Sequence, residues 1–172
     1  TPFTAVLIQE KFKEKKIDIT SYLKVVELNS KIKLGPFEID FVTLTHSILE
    51  PNGLSITTPE GVVLHTGDWK VDPNPLIGNN VDEKKLRSIG EKGVIAMICD
   101  STNVFSPGRA GSEKDVRESL LKIISSQKKR VLVTSFASNV ARMESIFYIA
   151  KQTKRNISLV GRSMHRIYKA AR

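Results

Sequence analysis

Val94-Ile95-Ala96-Met97-Ile98-Cys99-Asp100-Ser101-Thr102-Asn103 decides how this chain is read. Six apolar residues run without interruption and then give way to a carboxylate, two hydroxyls and an amide. A short continuous apolar run bounded by turn residues fits a strand buried on both faces, the kind that parallel sheets use. Two later stretches repeat the arrangement. Residues 131–136 lead into Ser135-Phe136-Ala137-Ser138-Asn139, and residues 157–160 lead into Gly161-Arg162-Ser163. Between them lie helical patterns. Ser112-Glu113-Lys114-Asp115 opens the first with a capping box, and Val116, Leu120, Ile123 and Ile124 give it an apolar face. Ser138 or Asn139 opens the second, with Val140, Met143, Ile146 and Phe147 inward. The second half therefore reads as β-α-β-α-β-α, a parallel sheet with helical crossovers.

The first half has a different rhythm. Thr1-Pro2 opens a helix to about Lys16, with Pro in its first turn. Residues 24–28 and 31–34 read as short strands. Residues 37–45 alternate, with Phe37, Ile39 and Phe41 on one face and Val42 and Leu44 on the other. Pro59-Glu60-Gly61 turns residues 54–57 back onto 62–64 as a hairpin. Asp82 caps a helix to Glu91, and Gly93 stops it. The change of rhythm near residues 100–111 is the best domain boundary.

The bulk numbers narrow the function classes. The chain has 172 residues, room for one domain with a real core or parts of two. No apolar run approaches the roughly 18–20 residues needed to span a bilayer, and no secretory leader is visible. Cys99 is the single cysteine, so no internal disulfide forms and a reducing cytoplasm is the expected setting. The chain starts on Thr1 and stops in a helical pattern at Arg172, which reads as an internal segment of a longer protein. Its net charge is +9. Such an excess favours an anionic partner, nucleic acid first.

Several residues have site chemistry. His46 ends the strand at 37–45, and a neutral imidazole is a good zinc ligand. Asp68 follows Gly67 past the next strand, and a carboxylate can bridge two cations. Taken alone, each reads more readily as an ordinary loop-edge polar residue. Asp72 reads as a turn or cap. His65 has the opposite parity to Asp68 and reads as structural. His165 reads as basic surface. Asp100, Ser135, Ser138, Asn139, Gly161, Arg162 and Ser163 sit where parallel strands end and helices begin, where phosphates bind but where simple caps also sit. No dinucleotide fingerprint, P-loop or nucleophile elbow is present.

Together these blocks resemble one family. Thr1-Pro2-Phe3-Thr4, Leu34-Gly35-Pro36-Phe37-Glu38, Thr45-His46-Ser47-Ile48, His65-Thr66-Gly67-Asp68-Trp69-Lys70, Asp100-Ser101-Thr102-Asn103, Phe136-Ala137-Ser138-Asn139 and Gly161-Arg162-Ser163-Met164 are similar, in order, to ribonuclease J, of the β-CASP branch of the metallo-β-lactamase superfamily. The resemblance implies an α/β fold. Residues 1–107 would be the later part of a metallo-β-lactamase αββα-type sandwich, and 108–172 the start of a parallel β-CASP domain. It implies His46 as a metal ligand, Asp68 as the ligand bridging two zinc ions, and Asp100 as an acidic catalytic residue supporting a His further along the chain. Ser135, Ser138, Asn139, Gly161, Arg162 and Ser163 would line an RNA channel. The family cuts RNA internally and from the 5′ end, in rRNA processing and mRNA decay. It is cytoplasmic and dimeric or tetrameric. The departures are as telling. The upstream His-x-His-x-Asp-His ligands and the later β-CASP histidines are not in these residues, so the segment alone is expected to bind metal poorly and not to cleave RNA. Ala141 stands where many relatives have His. The rival readings are another hydrolase of the superfamily, acting on DNA or a small ester, and a non-catalytic α/β module holding RNA or phosphate.

Overall fold

The computed structural model describes all 172 residues. It is a mixed α/β structure with one five-stranded sheet, whose strands lie side by side in chain order. The strands are β1 (Lys31–Leu34), β2 (Phe37–Thr43), β3 (Asn52–Thr58), β4 (Gly61–His65) and β5 (Ala96–Ile98). The first four pair antiparallel, and β5 runs parallel to β4. The helices are α1 (Pro2–Glu14), α2 (Glu83–Glu91), α3 (Glu113–Ser125), α4 (Val140–Gln152) and α5 (Arg162–Ala171).

Local chemistry sets most of these boundaries. Gly35, at φ +58°, closes the tight β1–β2 hairpin, and Gly61, at φ +141°, closes β3–β4. Both conformations favour a residue without Cβ. Burial along β2 rises toward its end, where Thr43 and Thr45 on one face are as buried as their apolar neighbours on the other. Val42 and Leu44 are buried, while Phe37 on the other face is exposed. Asp82 caps α2 by accepting from the Lys85 amide. Ser112 and Asp115 form the expected capping box on α3, and Asn139 caps α4.

The main apolar cluster belongs to the helices. Phe3 of α1 meets Val140 and Met143 of α4 and Ile167 of α5, with Ile48 and Leu49 packed against them. Residues from the two ends of the chain thus share one core. Arg166–Glu14 and Lys169–Glu10 ion pairs run along the α1–α5 seam. Helices α3 and α4 are held by Arg117, which pairs with Glu144, donates to Ser145 Oγ and lies 4.8 Å over the Tyr148 ring.

Three expected strands do not form. Residues 24–28, 131–136 and 157–160 have no strand pairing, so the parallel sheet read into the second half reduces to the β4–β5 pair. Apolar runs become strands only where a neighbouring edge takes up their N–H and C=O groups. Here no strand pairs with β5 on the side away from β4. Leu132, Phe136 and Val160 are consequently 83–88% exposed. Their pattern signalled burial, but no layer of this sheet covers them.

Candidate active site

Sheet topology carries His46, Asp68 and Asp100 to one end of the sheet. His46 follows β2, Asp68 follows β4 and Asp100 follows β5. Two sets of backbone contacts then draw the three loops together. Thr45 bridges antiparallel to Lys70, with the Lys70 amide donating to Thr45 O at 2.9 Å. The residues just after Thr45 therefore run beside those just before Lys70, His46 next to the Trp69-Asp68 segment. On the other side, the Asp100 amide donates to Thr66 Oγ1 (3.1 Å) and the Thr66 amide to Ile98 O (2.9 Å). Asp68 hangs between these two seams, exposed to solvent.

The turn that carries Asp68 depends on a close approach. A Cβ on Gly53 would lie 3.0 Å from Leu44 Cδ1 and 3.1 Å from the His65 carbonyl oxygen. Glycine lets β3 press against the end of β4, where the His65-Thr66-Gly67-Asp68 block begins. His65 is structural, as expected: its Nδ1 accepts from the Gly67 amide at 3.0 Å.

The Asp100 carboxylate is held below the ordinary carboxylate range. The Thr102 backbone amide contributes most, then the Thr102 hydroxyl, with a smaller contribution from the nearby His46 imidazole. His46 thus lies near enough to Asp100 to act on its carboxylate. Ser47 Oγ lies 3.4 Å from His46 Nδ1, which leaves Nε2 available to another partner.

A polar cavity of about 200 Å³ opens beside His46. Ser47, Lys70, Asp72, Glu113 and Asn139 line the rest of it. The buried Asp72 organises this wall. Its carboxylate accepts from the Asn74 amide (2.9 Å) and from the Glu113 amide at the start of α3 (3.1 Å). Its own amide donates to Thr45 Oγ1 (3.0 Å). Burial pushes its carboxyl up. The Asn74 amide, the Ser112 hydroxyl, the Glu113 amide and Lys70 more than offset that, so it lies below the ordinary range. Glu113 in turn receives Arg142 of α4 through two nitrogens, at 3.3 and 3.2 Å.

Of the residues read as an RNA channel, only Asn139 enters this wall. Its side chain is committed to capping α4 through the Arg142 amide (2.8 Å). Ser135 is exposed, its hydroxyl 3.4 Å from Phe136 O. Ser138 is exposed and uses its carbonyl on the Val140 amide. Gly161, at φ +102°, starts α5, and Arg162 and Ser163 lie exposed on its first turn. Sequence reasoning missed Lys70 and Glu113 and took Asp72 for a local turn. It is one, through Asn74, but it also reaches the α3 start 41 residues on, and no local pattern carries that second contact.

For a zinc site the donors suit the metal in kind, one imidazole and one free carboxylate. They are two of the roughly four ligands a tetrahedral site takes. No group of three or more His, Cys, Asp or Glu side chains draws together around a common point.

Comparison with known proteins places the chain. Residues 128–172 match the family model for the ribonuclease J β-CASP domain. The full chain is 42% identical, over 174 aligned residues, to a ribonuclease J of Sinorhizobium meliloti, and covers 30% of that protein. It is 42% identical to the Corynebacterium glutamicum ribonuclease J, with 95% of the chain and 23% of the relative aligned. For the Thermus thermophilus ribonuclease J the identity is 37%, over 83% of the chain and 25% of the relative. The class is thus β-CASP, and the chain belongs to the ribonuclease J family. It spans about a quarter to a third of the length of these relatives. A crystal structure of a protein of unknown function from Enterococcus faecalis V583 shares the fold, with a TM-score of 0.63 at 17% identity, over 98% of this chain and 42% of that one. No helix is long and apolar enough to cross a membrane.

Proposed function

We propose that this chain forms part of a metal-dependent ribonuclease of the β-CASP type, with 5′–3′ exonuclease and endonuclease activity in RNA processing and decay. Residues 1–107 are read as the later part of a metallo-β-lactamase sandwich and 108–172 as the start of the β-CASP domain. RNA is the substrate, the setting is the cytoplasm, and the full-length protein is a homodimer or homotetramer.

In this reading His46 and Asp68 hold two zinc ions together with donors from the part of the family's length that this chain does not span. Bound zinc lowers the pKa of a water and steadies charge on phosphate oxygens. The Asp68 carboxylate makes no hydrogen bond or ion pair, so it would be free to serve as a ligand. His46 is kept in place by the Thr45–Lys70 bridge on one side and by packing of the following Ile48 against the helical core on the other. Asp100, pinned through Thr66 and Thr102, supports a catalytic histidine from further along the protein. The +9 charge holds the RNA backbone.

One observation carries the reading: His46, Asp68 and Asp100 gather at one sheet end in a chain whose end-to-end relative is a ribonuclease J. The +9 charge also fits a second reading, a non-catalytic RNA-phosphate module. The two separate in the full-length protein. Cleavage of 5′-monophosphorylated RNA that stops with chelator and with Asp68→Ala supports the first. Cleavage surviving Asp68→Ala overturns the role given to Asp68, and RNA binding without any cleavage leaves the second.

A further inference from the structure

Helices α3 and α4 both begin at the His46 cavity, which Glu113 and Asn139 line, and both run away from it for 13 residues. At about 1.5 Å per residue their far ends lie about 20 Å from the cavity. There Arg155 ties the two ends together. Its guanidinium donates to Lys129 O at 2.9 Å and also to Gln127 O. One result is a single surface that carries Lys128, Lys129, Arg130, Lys151, Lys154 and Arg155, drawn from two segments more than twenty residues apart in sequence. None of the six forms an ion pair. The sequence has no Asp or Glu between Glu118 and Glu144, and none after Glu144.

The basic residues of α5 make the contrast. Arg166 and Lys169 are partly neutralised by Glu14 and Glu10 of α1. Compensation of the helix dipoles accounts for a cation in the last turn of each helix, such as Lys151. It does not account for Lys128, Lys129, Arg130 and Lys154, which lie beyond the helix ends. Six cations without an ion pair, five of them exposed and only Lys151 inside a helix, create a positive potential of long reach.

We propose that this surface is a second anchor for the phosphates of a bound RNA, remote from the cleavage site and blind to sequence. This deepens the ribonuclease reading and rests on it. An RNA long enough to occupy both the His46 end and this surface gains affinity through counterion release, and a short one does not.

The test uses the full-length protein and two 5′-monophosphorylated RNAs, of about 3 and about 20 nucleotides. At a rise of about 3.4 Å per nucleotide the shorter spans only about 10 Å. The variant is Lys128→Gln/Lys129→Gln/Lys154→Gln, whose side chains make no hydrogen bond or ion pair, so its melting temperature should match the parent. For the long RNA, the slope of log affinity against log salt should fall by about 2, at about 0.7 per lost contact. Cleavage of the short RNA should keep its kcat/KM. An unchanged slope assigns the patch to some other anionic partner and overturns the proposal, as does an equal loss on both RNAs. If the parent cleaves both RNAs and the variant's slope is unchanged, the anchor alone fails. If the parent neither binds nor cleaves RNA, the ribonuclease reading fails and the anchor with it.

Discussion

The amide of Ala141 donates to the carbonyl of Ser47 at 3.1 Å, joining the first turn of α4 to the residue after His46. Ala141 is 1% exposed. A helix start has free N–H groups, and one of them is used here to hold the His46 loop. The site's position is thus coupled to a helix that begins nearly a hundred residues later.

Placing a histidine at this position tests that coupling. Ala141→His forces a ring into a closed site. Overpacking of this kind costs about 1–3 kcal/mol, which a lower denaturant midpoint with an unchanged slope would register. A variant as stable as the parent would mean that the α4 start yields easily, contrary to its burial.

Gly53→Ala should be worse than its single methyl suggests. The new Cβ meets the His65 carbonyl, which is backbone and cannot swing aside. We expect a loss of about 1–3 kcal/mol and, in the full-length protein, weaker metal retention, because the turn leading to Asp68 must shift. Unaltered stability with unaltered metal content would refute the close-approach argument.

Asp72 should matter more than a surface turn residue. In Asp72→Ala the amides of Asn74 and Glu113 lose their acceptor, at about 1–3 kcal/mol for a buried unsatisfied group. The α3 start should loosen, which hydrogen exchange at Glu113 and Lys114 would show. Exchange rates there equal to the parent's would sink this account.

The same residue sets a pH dependence. Its folded-state carboxyl lies below its ordinary value, so its contribution is fully present above the unfolded pKa, about 3.9. It is lost as pH falls through the lower folded value. The parent should therefore lose stability more steeply below about pH 4 than Asp72→Asn does, in parallel urea titrations. Parallel curves for the two proteins would remove Asp72 from the acid response.

Much of this fold was readable locally. The β2–β4 meander and all five helices follow from alternation, apolar periodicity, turn glycines and capping patterns, because each depends on residues within a few positions of one another. His46, Asp68 and Asp100 were legible as strand-end residues for the same reason. Residues 131–136 and 157–160 misled, since an apolar run states a preference for burial but not whether an edge is there to pair with it. Glu113 looked like a helix-start acid and nothing more. Its partner Arg142 lies 29 residues on, and its neighbour Asp72 lies 41 residues back.

Sequence was therefore enough for the helices, the hairpins and the kinds of chemistry available at their ends, because backbone sterics and capping act over a turn or two. Tertiary structure decided the rest. It joined Phe3 of the first helix to Ile167 of the last, brought Asp72 under α3 and set the two basic loops side by side around Arg155. Such contacts arise where separate surfaces meet to exclude water and satisfy buried polar groups, and no single stretch of chain holds both halves of them.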